Sequence, residues 1–162
     1  MRRIPLTRGR FAKVSDKDYS YLMQWNWYAS TVPRTQYART NVPGGVRRQT
    51  TLRMHRLIAI RMGLAPNIRV DHINGNGLDN RRRNLRTATS HQNNGNKRRA
   101  LTNTSGYKGV HWHKKVQHWI ARITVRGEQK HLGCFINRRE AARAYNRAAR
   151  KGFGRFARLN KV

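Results

Sequence analysis

Ile68 to Lys97 runs strand, glycine–asparagine loop, strand and capped helix in thirty residues. Ile68-Arg69-Val70-Asp71-His72 reads as a strand, and Asn74-Gly75-Asn76-Gly77 as a tight loop with both glycines expected at positive φ. Leu85 to Thr89 is short and extended, and Thr89 or Ser90 can cap a helix from His91 to about Lys97. The order predicts a ββα unit, and the flanking blocks must be read around it.

That unit also holds the chemistry. The chain has 36 Lys and Arg against six Asp and Glu, and two of the six acids, Asp71 and Asp79, fall between residues 71 and 84. Asp71 adjoins His72. An imidazole with an ordinary pKa of about 6.5 accepts a proton from water at neutral pH, which makes His72 a candidate general base. Asn84, twelve residues on, is placed to accept the other imidazole N–H and fix its tautomer. Asn93, in the first turn of the helix, offers a neutral oxygen to a hard cation such as Mg²⁺, with Asp71 as the carboxylate ligand. A base, a carboxylate and a divalent cation in a polyanion-binding protein point to phosphodiester cleavage. Asp79 is expected to tie down the loop through Asn80 and the neighbouring arginines.

The formal net charge of +30 and a pI of about 12.0 make a polyphosphate the natural partner, since each neutralised phosphate releases counterions. No stretch reads as a lipid-inserting helix or a transmembrane span, so no membrane partner is expected. Cys134 is the only cysteine, which excludes an intrachain disulfide and a multi-cysteine zinc site. Its apolar neighbours Leu132 and Phe135 predict a small core residue. A reducing cytosolic setting fits.

Before the ββα unit, Ile4–Thr7 and Phe11–Val14 read as short strands about an Arg8-Gly9-Arg10 turn. Ser15 to Met23 reads as a helix capped by Ser15 or Asp16, and Trp25, Trp27 and Tyr28 lead into a strand. Tyr37–Val42 and Gln49–Met54 flank a Pro43-Gly44-Gly45 hairpin signal, and His55–Met62 has helical spacing. After the unit, Gly95 to Gly106 is polar and basic and reads as a linker able to track a DNA backbone. Trp119, Ala121, Ile123 and Val125 then alternate with Arg122, Thr124 and Arg126. A turn at Arg126-Gly127-Glu128, a third strand from Gln129 to Phe135 and a helix capped by Asn137 complete a small module. Its helix carries an alanine stripe suited to close packing on a sheet.

Val70-Asp71-His72-Ile73-Asn74-Gly75, Leu78-Asp79-Asn80-Arg81, Asn84-Leu85-Arg86 and Gln92-Asn93 closely resemble the HNH endonucleases of bacteriophages, in the zinc-free branch related to intron homing endonucleases. Met54–Ile58 and Ile4–Gly9 are similar to the same family. The resemblance implies His72 as general base, Asn84 as the amide orienting it, and Asp71 with Asn93 as ligands of one divalent ion, Mg²⁺ or Mn²⁺, with no zinc. Asn93 makes the pattern H-N-N, and His91 is the alternative third member. The family also carries a histidine at the position of His55, which is assigned no catalytic role.

Gly106-Tyr107-Lys108-Gly109-Val110, Trp119-Ile120-Ala121, His131–Phe135 and Glu140–Asn146 resemble the APETALA2-type DNA-binding domain. That resemblance implies a three-stranded sheet entering the major groove, with Lys108, His111, His113, Arg122, Thr124, Gln129 and His131 facing DNA. The expected fold class is therefore α+β. A small N-terminal sheet region leads into a ββα-metal nuclease core (about 65–96, within a nuclease domain 1–96). A basic linker (97–106) and a three-stranded antiparallel sheet packed on one helix (107–162) follow. The expected activity is metal-dependent DNA hydrolysis by a site-directed nicking or homing-type enzyme, a monomer acting on double-stranded DNA in the host-cell cytoplasm. The competing class is a DNA-binding regulator that retains a nuclease fold without catalysis.

Overall fold

A computed structural model describes residues 1–30, 35–43 and 49–162. The chain forms two compact units, Met1–Ala88 and Thr89–Val162, and the mixture of helices with small antiparallel sheets is α+β.

In the first unit, β1 (Arg2–Leu6) and β2 (Arg10–Val14) pair as a hairpin whose turn holds Arg8 and Gly9 at positive φ. Alternation turns Ile4, Leu6, Ala12 and Val14 inward. Ser15 precedes α1 (Asp16–Leu22), yet its hydroxyl accepts the Arg82 N–H at 3.0 Å instead of capping the helix. β3 (Tyr28–Ala29), β4 (Ala38–Pro43) and β5 (Gln49–Arg53) form a three-stranded antiparallel sheet. Pro43 pairs with Gln49, while Gly44 and Gly45 of the expected turn lie outside the described residues. α2 (Met54–Arg61) buries Met54, His55, Ile58 and Ala59. Met62, which helical spacing places on the apolar face, lies just beyond the last turn and is exposed.

These elements close one core around Ile4, Val14, Leu22, Trp27, Met54, Ile58 and Leu85. Each such large side chain contributes about 1.5–3 kcal/mol when fully buried. β6 (Val70–His72) and β7 (Leu85–Thr87) pair antiparallel, with Asp71 opposite Arg86 and His72 opposite Leu85. The loop between them is docked on β2: Lys13 N–H donates to Leu78 O at 2.8 Å, and Asn80 N–H donates to Lys13 O at 2.7 Å.

The second unit opens with α3 (Ser90–Asn96). Thr89 Oγ1 accepts from Gln92 N–H and Gln92 Oε1 accepts from Thr89 N–H, a reciprocal cap that decides between Thr89 and Ser90. Gly95 sits so close to the Phe153 ring that a Cβ there would lie 2.6 Å from it. β8 (Val110–His113), β9 (His118–Val125) and β10 (Glu128–Phe135) form an antiparallel sheet in the order β10-β9-β8. α4 (Arg138–Phe153) lays Ala141, Ala142 and Ala144 against Val110 and Ala121. Asn137 caps it through Arg139 N–H at 2.8 Å.

The stretch that reads as a linker is fastened at its far end. Ser105 is buried, and its hydroxyl bonds Val110 O at 2.8 Å, while Asn103 Nδ2 donates to Tyr107 O and Val110 O.

Candidate active site and nucleic-acid face

Asp71 and His72 are both buried although they are neighbours on β6. Two observations fix His72. Its Nε2 lies 3.0 Å from Asn80 Oδ1, and Asn80 is itself fully buried, with its backbone clamped to β2. The rings of His55 and Tyr37 flank the imidazole, with centroids at 5.0 and 5.8 Å. Gly77, expected at positive φ, is not there; it serves by its size. A Cβ on it would strike the Tyr37 ring at 2.7 Å, so any side chain would dislodge the ring that packs on His72.

The amide at the imidazole is therefore Asn80, where Asn84 was expected. Asn84 ties the loop: its Oδ1 accepts Asn74 N–H at 3.1 Å and its Nδ2 donates to Asp79 O at 2.6 Å. The reason is topological, because the β2 clamp brings Asn80 under the ring while Asn84 sits at the base of the loop. Asp79 does hold the loop, with Asn74 as its amide partner where Asn80 was expected: it accepts from Arg81 at 2.6 and 2.7 Å and from Asn74 Nδ2 at 2.9 Å. Burial alone would raise its carboxyl, but Arg81 outweighs it and holds the group below the usual carboxylate range.

With Asn80 presenting an oxygen, the His72 tautomer that satisfies the contact carries its proton on Nε2 and its lone pair on Nδ1. Burial pushes the His72 pKa below its ordinary value, against the opposing pull of Asn80, Asp71 and Asp79. Asp71 Oδ2 accepts from Arg86 Nη2 at 2.9 Å and Nε at 3.1 Å, which orients the carboxylate. No group of three His, Cys, Asp or Glu side chains is placed to hold a metal among the described residues. A single carboxylate supplemented by neutral oxygens suits a hard cation that keeps most of its water, as Mg²⁺ does.

His55, to which the sequence assigns no part, is buried at the centre of this ring cluster. Burial, then the charges of His72, Arg53, Arg56 and Arg39, push its pKa down to about 3. The unfolded chain takes up this proton near pH 6.5, but the folded chain refuses it until about pH 3. The associated stability is complete above pH 6.5 and drains away as pH falls through that window, by about 1.4 kcal/mol per unit. Melting temperature should therefore drop between pH 7 and pH 5, and His55→Phe should flatten that drop. A pH slope identical in the variant would remove His55 as its source.

In the second unit, both nitrogens of His91 are engaged. Nε2 meets Gly152 O at 3.0 Å and Nδ1 accepts Arg126 N–H at 3.3 Å, while the ring packs on Phe153. Asn93 lies on α3 of the same unit, half-buried, its backbone N–H donated to Thr89 O. Strand register puts His111 opposite Ile120, Arg122 opposite His131, and Thr124 opposite Gln129, so these polar residues share the sheet face turned away from α4. His113 follows on the same face of β8. Lys108 does not join them. Its ammonium donates to Gly95 O at 2.7 Å, because the chain turns at Gly109 before β8 begins. Cys134 is exposed on that face, not buried in the core. A bulge between His131 and Gly133 shifts the register, sending Phe135 to the helix side and Cys134 to the open side.

The HNH endonuclease family model matches residues 53–95, a stretch that contains His55, Asp71, His72, Asn80, Asn84 and Asn93. The chain is similar to Protein 3.8 of Escherichia phage T7, 40% identical over 60 residues, covering 37% of this chain and only half the length of that relative. It is also similar to an uncharacterized HNH endonuclease of Acanthamoeba polyphaga mimivirus, 30% identical over 160 residues, covering 96% of this chain and 77% of the relative. No solved structure matches. Among the described residues no helix is long and apolar enough to cross a membrane. A viral relative aligned along nearly the whole chain, and a family match centred on the buried Asp71–His72 pair, put this protein in the HNH endonuclease family.

Proposed function

We propose that the protein is a metal-dependent DNA endonuclease of phage origin that hydrolyses phosphodiester bonds as a site-directed nicking or homing-type enzyme. The observation that carries this reading is His72: a buried imidazole oriented by Asn80 and adjoining the Arg86-held carboxylate of Asp71. His72 Nδ1 takes a proton from the attacking water, and the imidazolium that results keeps its Nε2–H on Asn80 Oδ1. Asn84 keeps the loop that carries Asn80 from drifting. A bound Mg²⁺ or Mn²⁺, held by Asp71 and Asn93, would supply charge stabilisation for the phosphate and the leaving 3′ oxygen. The HNH resemblance supports that ligand pair and a site without zinc.

The sheet face bearing His111, His113, Arg122, Thr124, Gln129 and His131 is proposed to engage double-stranded DNA, as the APETALA2 resemblance implies. A monomer in the host-cell cytoplasm completes the proposal. The test is supercoiled plasmid incubated with Mg²⁺ or Mn²⁺, with and without chelator. Metal-dependent conversion to open circle is expected. A mobility shift without any scission would replace the nuclease with a DNA-binding regulator.

A further inference from the structure

Within the second unit, a groove of about 830 Å³ runs along the edge of β9 beyond the point where β8 stops pairing. Gly109 O takes the Arg122 N–H at 2.8 Å, and His91 Nδ1 takes that of Arg126. Alternation along a strand sends the N–H of Thr124, midway between them, to this same side. Thr124 thus turns a backbone donor toward the groove it helps to line.

The charge lining the groove is one-sided. Lys97, Arg98 and Arg99, from the segment after α3, face Arg122 and Arg126 of β9, and no Asp or Glu lines it. The whole unit has eighteen Lys and Arg against Glu128 and Glu140 alone. Cations this crowded repel one another: Lys108, inside the groove, is held down to about 8 by burial and then by Arg158 and Lys97. Apolar side chains, Ile123 and Tyr145 among them, also line it. Exposed cations and a backbone donor beside apolar side chains match a sugar–phosphate chain, with its anionic rim and carbon-rich ring. They recognise charge and position and carry no base code.

We propose that this groove seats the DNA phosphodiester backbone through Lys97, Arg98, Arg99 and the Thr124 N–H, and fixes the register in which the sheet face meets the bases. The inference rests on the reading of double-stranded DNA as the substrate. It gives residues 97–99 a definite partner, in a groove that shares His111, Arg122, Thr124 and Gln129 with the proposed reading face.

The test compares two charge-matched triple variants of the full chain, by fluorescence anisotropy on duplex DNA without metal across a salt series. One is Lys97→Gln, Arg98→Gln, Arg99→Gln; the other is Arg143→Gln, Arg147→Gln, Arg150→Gln, on exposed positions of α4. Losing three phosphate contacts should lower the slope of log K against log salt by roughly 2–3, equally on unrelated sequences, with the α4 triple unchanged. Equal losses in both triples would reduce the effect to net charge and overturn the groove. So would a groove triple that binds DNA like wild type, or one that weakens only structured RNA. Melting curves of both triples, and the single variant Lys97→Gln with a slope lowered by about 1, guard against misfolding as the cause. Failure of the wild type to bind duplex DNA would sink the substrate reading itself, whereas wild-type binding with an inert groove triple sinks the groove alone.

Discussion

His72→Ala should cut metal-dependent strand scission about 10²–10⁴-fold, the range that a positioned general base contributes. Duplex binding should stay within about twofold of wild type, since the sheet and groove cations that hold DNA are untouched. Truncation also leaves the buried Asn80 amide without its imidazole, at a cost of about 1–3 kcal/mol in stability. The rates must therefore be compared well below the variant's melting temperature, with circular dichroism as the check on folding. Single-turnover rates on saturating DNA separate chemistry from binding. Wild-type scission by the folded variant would falsify the assignment of His72 and transfer the role to another group.

The second large effect is on stability. Asp18 is fully buried and holds three elements together. Its carboxylate accepts Arg82 Nη2 at 2.6 Å and Nε at 2.7 Å from the base of the β6–β7 loop, and Arg61 Nε at 3.2 Å from α2. Burial alone would raise its carboxyl, but Arg82 and then Arg61 prevail and keep it ionised below the usual range. Asp18→Ala removes the common partner and leaves both guanidinium groups without their buried carboxylate. Breaking such a pair typically costs about 3–5 kcal/mol. For a unit of this size that is a fall of more than about 10 °C in melting temperature. The loss should fall on the unfolding transition of the first unit, so a probe in that unit, such as Trp27, is the right reporter. A variant melting within about a degree of wild type would show that Arg82 and Arg61 find water instead and that the cluster is dispensable.

Local patterns are legible where local physics decides. Alternation over Trp119–Arg126 identifies both faces of β9, and Thr89 or Ser90 marks the start of α3, where the structure chooses Thr89. The Asp71–His72 pair stands out because acids are so scarce. What the chain hides depends on distant contacts. Asn80 reaches His72 only because Lys13, far upstream, clamps its backbone, and nothing near Asn80 signals that. His55 is assigned no catalytic role from the sequence, yet Tyr37 and His72 close over it. Cys134 departs from its apolar context because one bulged residue reverses the parity of a strand. Lys108 leaves the reading face because a turn at Gly109 redirects the chain before the strand begins.

The seating of α3 bears on how the molecule can be dissected. A fragment cut just after Asn96 would keep the helix and discard its floor: Phe153 under Gly95, and the Gly152 carbonyl and Arg126 amide on His91. Seven residues rarely hold a helix in water without such support. Any truncation that treats the helix as the tail of a nuclease fragment therefore risks reporting an inactivity that belongs to the cut, and swapping the C-terminal module means rebuilding the underside of α3 with it.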